Sequence, residues 1–275
     1  MEPIVAYIRT RKKLLKVVRY FLHWTSIFGI DVSKLFALRG LPAVVKEYLI
    51  LKRQNADTGS KWNLKFTMPC IHDRYEQSAA VSGHYFHQDL LVARRIFRRQ
   101  PDNHVDVASR IDGFVAHVAA FRGIEVLDIR PQTAKVPGIT FRQCDFMNLP
   151  EDLENYCDSV SCLHALEHFG LGRYGDSLDI DGHLRGFDSL YRILKPGGIL
   201  YLSFPIGTER IDFNAHRVFA VKTVLEWAKD RFEIVGFSYV DDEGDLHENM
   251  TLDATAISSD FNLYYGCGIF ELKKI

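Results

Sequence analysis

Apolar and polar positions follow two rhythms along this chain, and the change falls near residue 100. Before it the spacing is helical. Between residues 4 and 28, Leu14, Leu15, Val17, Val18, Phe21 and Leu22 are set among Arg9, Arg11, Lys12, Lys13, Lys16 and Arg19, with Trp24 and Phe28 ahead of Gly29. This predicts a basic amphipathic helix, which lies in an anionic membrane interface or docks on its own domain with its charges solvated. A second helix is predicted after Pro42, over AVVKEYLILKRQ, and polar residues 55–63 then predict a loop. Residues 64–82 carry no clear period. QDLLVARRIFRR (88–99) returns to helical spacing, with four arginines assigned to its polar side.

From His104 onward short apolar runs alternate with amphipathic stretches. HVDVAS, IEVLDIR, ITFRQCD, YCDSVSCL and ILYLSF read as strands; IDGFVAHVAAF, GHLRGFDSLYRIL and VFAVKTVLEWAKD read as helices. Such alternation predicts an α/β domain, a parallel sheet covered on both faces. FEIVGFSYV and GCGIFELKK follow with no full helix between them, which predicts an antiparallel pair at one end of the sheet. The organisation expected is a basic helical region over 1–82 and a Rossmann-like domain over 83–275.

Composition changes this picture in one respect. A net charge of −1 conceals a balance of +11 over residues 1–100 and −12 over the rest. A basic front suits an anionic partner, whether membrane lipid, a phosphorylated carrier or nucleic acid. Five cysteines without CxxC spacing imply neither a disulfide framework nor a zinc knuckle. With no secretory leader pattern in MEPIVAYIRTRKK and no apolar run near the ~20 residues that span a bilayer, a cytoplasmic protein, soluble or peripheral at the inner membrane, is expected.

Ligands of doubly wound sheets bind beyond the carboxyl ends of the strands. There the chain places Asp106 in the first strand, Ala108, Ser109 and Arg110 in the turn after it, and Gly113 at the helix start. Asp128 and Ile129 end the second strand, the carboxylate being positioned for a ribose. Asp145 and Phe146 follow the third, where a carboxylate can meet an adenine amine. The fourth runs into HALEHFGLGRYGD, and LKPGG precedes the fifth.

Asp106…Gly113, Asp128, Asp145, Asp158…LEH and LKPGG together resemble the class I SAM-dependent methyltransferase superfamily, over roughly residues 100–275. The resemblance implies a seven-stranded sheet in the order 3-2-1-4-5-7-6, the seventh strand antiparallel, and S-adenosylmethionine (SAM) as cofactor. More narrowly, GHYFHQDLLVA, DVASRIDGF, LEHFGLGRYGD and FNAHRVF resemble an uncharacterised methyltransferase-like domain family associated with bacterial polysaccharide gene clusters. The first turn departs from the superfamily's DxGxGxG, with Ala108 and Arg110 in place of two glycines. Ala108 fits if its φ stays negative, and Arg110 must either turn away or reach the methionine carboxylate. A degenerate fold that no longer binds SAM is the alternative.

His164, Glu167 and His168 also match HxxEH, a zinc-peptidase pattern, but that pattern needs one continuous helix, and the glycines at 170 and 172 argue against it. No metal-ligand spacing here is diagnostic. His164 is expected beside the cofactor, with Glu167 and His168 at the rim. The loop 170–182, carrying Arg173, Tyr174 and Asp176, reads as a substrate-facing lid or as a solvated connection. After the fifth strand come Asn214, His216 and Arg217; ahead of the domain, Tyr85, His87 and Asp89 stand in a segment expected to fold over the cofactor. O-methylation of a sugar hydroxyl benefits from a base, for which His216 is the first candidate and His164 the second, although a histidine there also serves as a hydrogen-bonding residue. The expected acceptor is a sugar or glycoconjugate, lipid-linked where the basic front meets an anionic membrane. A non-catalytic binding module and an RNA methyltransferase are the rivals; the acidic second half argues against nucleic acid.

Overall fold

The computed structural model describes residues 25–29, 38–59, 62–71 and 81–275. The chain divides into two units, 1–80 and 81–275. Most of the basic helix expected over 4–28 lies outside the described residues. In the first unit, helix α1 (Leu41–Asp57) begins with Pro42 in its first turn and buries none of its residues. Among the described residues no helix is long and apolar enough to cross a membrane.

The second unit is an α/β sandwich. Helix α2 (His84–Arg99) leads into strands β1 (His104–Val107), β2 (Ile124–Asp128), β3 (Ile139–Gln143), β4 (Cys157–Leu163) and β5 (Leu194–Ile206), all parallel. A hairpin, β6 (Arg210–Asp212) with β7 (His216–Val218), stands apart from the sheet. Then come β8 (Phe232–Val240), the two-residue β9 (Leu246–His247) and β10 (Gly266–Lys274). The sheet order is β3-β2-β1-β4-β5-β10-β8-β9, with β10 antiparallel to both its neighbours. The antiparallel closing pair and the expected strand order are therefore present. The edge strand β9 makes the sheet eight-stranded instead of seven.

Parallel strands covered on both faces must be apolar on both. β1 is buried throughout, and β5 sends Leu200, Leu202 and Phe204 to one core and Ile199 and Tyr201 to the other. Helices α4 (Gly182–Ile193) and α5 (Val221–Ala228) pack Phe187, Leu190, Val221 and Val224 on the first core. Helix α2 and the short α3 (Ala116–Ala119) pack Leu91, Val92, Ile96 and Val118 on the second. One arginine of α2 is not on its polar side. Arg95 falls on the face of Leu91 and Ile96, where it is buried, paired with Glu271 and bonded to Ser238 Oγ at 3.1 Å.

Candidate functional site

The carboxyl ends of β1 to β4 open on a cleft, the place at which doubly wound sheets take their ligands. It brings together nine of the expected residues: Ala108, Asp128, Ile129, Asp145, Phe146, His164, His168, Tyr174 and Asp176.

The first turn is built around a carboxylate the cleft does not see. Asp106 is fully buried; its Oδ1 accepts from Ser109 Oγ and Ser161 Oγ, both at 2.6 Å, and its Oδ2 from Ser109 N at 3.0 Å. Ser109 Oγ in turn accepts from Leu163 N at 3.0 Å. Asp106 and Ser109, expected at the cofactor, thus hold the turn's shape and do not line the cleft. Burial pushes the Asp106 carboxyl up to about 7, against the three hydrogen bonds that favour its anion. Ala108 takes φ +56°, so the condition on which its fit depends, a negative φ, is not met. Its N–H reaches back to Leu127 O at 2.9 Å, and the bend demands the left-handed conformation whichever residue occupies it.

Arg110 does not fill the cleft or wait for a carboxylate of the ligand. It turns outward, bonds Asp112 at 2.8 and 3.1 Å, and lies over the Tyr85 ring. Gly113 also stays out of the cleft. A Cβ there would come within 2.5 Å of Asp89 Oδ2, so the glycine admits the Asp89 carboxylate from α2. Asp89 is consequently a buried brace behind the turn, and not a substrate ligand; burial raises its pKa to about 6.

At the β2 tip Asp128 faces the cleft, but its oxygens are engaged. Arg130 donates Nε to Oδ1 at 3.0 Å and Nη2 to Oδ2 at 2.6 Å, and its own N–H adds 2.8 Å to Oδ1. A carboxylate offers about four acceptor positions, so one remains. The Arg130 guanidinium also lies over the Tyr174 ring, 4.4 Å from its centroid. Asp145 closes a local turn, accepting from Met147 N at 3.0 Å and Asn148 Nδ2 at 2.7 Å.

The far end of the cleft is made of histidines around one carboxylate. Glu167, buried, bonds His164 Nδ1 at 2.8 Å and lies 3.7 Å from His168 Nε2. Burial opposes charge on both His164 and Glu167. It is outweighed: Cys267 and Glu167 hold the His164 pKa well above its usual value, and His164 and His168 depress that of Glu167. His168 donates Nδ1–H to Ala215 O at 2.7 Å, and burial lowers its pKa. His216 stands behind, off the cleft, 3.5 Å from Asp212 and with its ring tilted against that of Tyr265, and burial lowers its pKa.

The remaining expected residues separate by role. Asp176 lines the cleft while ordering the 170–182 loop, accepting from Gly170 N, Gly172 N and Tyr174 N. The loop closes on itself tightly, since a Cβ on Gly170 (φ +78°) would lie 2.0 Å from Asp179 O. Arg217 is buried, lies off the cleft lining and donates to carbonyls of Phe169 (2.7 Å) and Ile180 (3.0 Å), so it ties this loop down. Arg173 donates to Ala215 O at 2.8 Å and serves the same end. Asn214 is exposed at the hairpin tip, and His87 packs its ring on Phe86, neither reaching the cleft. Tyr85 meets the His164 ring at 5.0 Å.

Sequence reading missed Arg130, His84, Tyr265 and Cys267. His84 was discoverable, since it shares the helical face of Gln88, Leu91 and Arg95, all buried, whereas His87 does not. Its Nδ1 lies 3.2 Å from His164 Nε2. Cys267 and Tyr265 come from a strand more than a hundred residues away, and no local pattern signals that meeting.

The model of the family described as "Caenorhabditis protein of unknown function, DUF268" matches residues 125–269. No curated protein matches the chain. Among solved structures, the chain is similar to the N-methyltransferase NodS from Bradyrhizobium japonicum WM9 in complex with S-adenosyl-L-homocysteine, at 11% identity and TM-score 0.46, covering 70% of this chain and 88% of that one. The 1,6-didemethyltoxoflavin-N1-methyltransferase of Burkholderia thailandensis matches at 12% identity and TM-score 0.47, over 68% and 78% of the two chains. The [4+2]-cyclase SpnF matches at 16% and 0.47, over 84% and 95%.

Proposed function

The chain belongs to the DUF268 family, and from its cleft we propose that it is a SAM-dependent methyltransferase acting on an oxygen of a sugar or glycoconjugate. The observation that carries this reading is the pairing, in one cleft, of carboxylates at the β2 and β3 tips with a histidine cluster beyond β4. Asp128 would take the ribose hydroxyls and Asp145 with Phe146 the adenine. Because Arg110 points outward, the turn at Ala108 offers its backbone unobstructed. When bound, SAM supplies a methyl group already activated by its sulfonium.

His168 is the base this geometry favours, ahead of His216 and His164. A carbonyl only accepts, so the bond to Ala215 O fixes the proton on Nδ1 and leaves Nε2 with its lone pair. His164 has both ring nitrogens engaged, and His216 does not line the cleft. Positioning and exclusion of water supply much of the remaining acceleration. The basic front would then meet a lipid-linked acceptor at the cytoplasmic face of a membrane, in polysaccharide assembly.

One observation favours a second reading, a nucleoside-binding module without catalysis: Arg130 already occupies Asp128. Calorimetric titration with S-adenosylhomocysteine, then assay of methyl transfer to a panel of glycans, decides between them. Binding lost in Asp128→Ala together with turnover supports the enzyme. Binding without turnover supports the module, and no heat from the wild type removes both.

A further inference from the structure

Three potential metal ligands converge behind the cleft: His84 Nδ1 at the start of α2, His164 Nε2 just past β4, and Cys267 Sγ on β10, all within 4.8 Å of one another. We propose that His84, His164 and Cys267 form a zinc site with its fourth position left to a water or an acceptor oxygen. This does not depend on the methyltransferase reading, because the metal is detected without SAM.

Geometry makes the case. Glu167 accepts from His164 Nδ1 at 2.8 Å, which turns Nε2 toward His84. The two ring nitrogens, His164 Nε2 and His84 Nδ1, lie 3.2 Å apart, a spacing that either one shared proton or a metal ion bridges. Two Zn–N bonds of ~2.0–2.1 Å at the tetrahedral angle put their nitrogens about 3.3 Å apart, close to the observed separation. A Zn–S bond of ~2.3 Å requires the thiol to draw inward by about an ångström.

The surroundings have the right charge. A thiolate on Cys267 and the Glu167 carboxylate balance a divalent ion that takes the place of the proton between the two imidazoles, at a site where His164 and Cys267 are buried and His84 half-buried. Glu167 stands where a carboxylate orients a metal-bound histidine from behind. Its Oε2 is buried with no hydrogen-bond partner among the described residues. Gln88 Oε1, 3.6 Å from Cys267 Sγ, accepts from Ser203 Oγ at 2.6 Å and holds the wall beside the sulfur. A mixed nitrogen and thiolate set of three, with one open position, is the pattern of catalytic zinc.

The test is metal content and cobalt substitution of the full chain. We expect one zinc per chain after purification in zinc-supplemented medium. The Co²⁺ form should show intense tetrahedral d–d bands with thiolate charge-transfer absorption. His84→Ala and Cys267→Ser should each abolish stoichiometric binding, His87→Ala should leave it intact, and Glu167→Gln should weaken it roughly 10–100-fold. Cys267→His should keep the d–d bands and lose the charge transfer. If these variants fail to fold, the wild type decides: its Co²⁺ form must show the thiolate charge-transfer band, which only a cysteine ligand supplies. A wild type that binds no metal after zinc or cobalt reconstitution overturns the proposal and leaves a shared proton between the two histidines. So does full binding by folded His84→Ala, or a Co²⁺ form without the thiolate band.

Discussion

The two ends of the cleft are built on opposite plans. At the β1–β3 end, acidic groups are met mostly by neighbours a few residues away: Asp106 by Ser109, with Ser161 of β4 added, Asp128 by Arg130, Asp145 by Met147 and Asn148. At the β4 end, one carboxylate serves histidines, and those histidines lean on α2, on the β6–β7 hairpin and on β10. Local satisfaction keeps the first end in shape while leaving its ligand-facing groups modestly exposed to exchange. The second end is a shared network, where no member is independent. Substitutions at the first should therefore change binding and little else, and substitutions at the second should change rate and stability together.

The sharpest break between the ends is expected at His168. Removing a positioned base typically costs ~10²–10⁴-fold, so His168→Ala should lower kcat by that amount with KM for SAM nearly unchanged, in steady-state assay. Because burial depresses its pKa, the acid limb of the wild-type pH–rate profile should fall below the usual histidine range. Next comes Glu167→Ala, which strands His164 without its counter-charge; breaking such a buried pair costs about 3–5 kcal/mol, to be read as a lowered urea midpoint. A loss below 1 kcal/mol would mean that the histidines are not charged partners of Glu167.

At the opposite end, Asp128→Ala should weaken S-adenosylhomocysteine by roughly 10–100-fold, the worth of ~1.5–3 kcal/mol in hydrogen bonds to a charged group. Arg130→Ala sharpens this: it frees the same carboxylate, and titration should show binding unchanged or tighter. If both variants weaken equally, Arg130 is a ligand and not a competitor.

Asp106 gives a pH dependence of defined sign. Its folded pKa, about 7, stands above the ordinary 3.8. The folded state therefore holds the proton better, and stability present at pH 4 is lost as pH rises toward 7, by about 1.4 kcal/mol for each unit traversed. Urea unfolding at several pH values should show this slope in the wild type and a flatter one in Asp106→Asn. The smallest effect is Ala108→Gly, which relieves a left-handed alanine and should stabilise the fold by about 0.5–1 kcal/mol, since glycine's greater unfolded entropy offsets part of the gain.

Sheet, helices and the strand tips at the β1–β3 end of the cleft were legible because their signals are local. Runs such as HVDV and the position of Asp128 at a strand tip each lie within one element and its following turn. Roles within that end were less legible. Asp106 and Asp128 look equivalent as acidic residues near strand ends, and only the pleat turns one inward and the other to the cleft. Arg95 shows the same limit, since its charge suggested solvent while helical phase put it against Glu271. At the histidine end legibility fell further. Arg217 looked like a ligand but spends its protons on loop carbonyls, and Cys267 joins His164 only through the long-range register of β10 with β5.

That register has a consequence for synthesis. β10 lies between β5 and β8, so this interior place in the sheet stays open until residues 266–274 leave the ribosome. The strand tips that line the cleft, complete by residue 164, emerge about a hundred residues sooner, which at ~5–20 residues per second is an interval of roughly 5–20 seconds. Within it the nascent domain presents an unpaired edge on β5 once residue 206 has emerged and on β8 once residue 240 has, sites at which a holdase would engage and a neighbouring chain could add a strand.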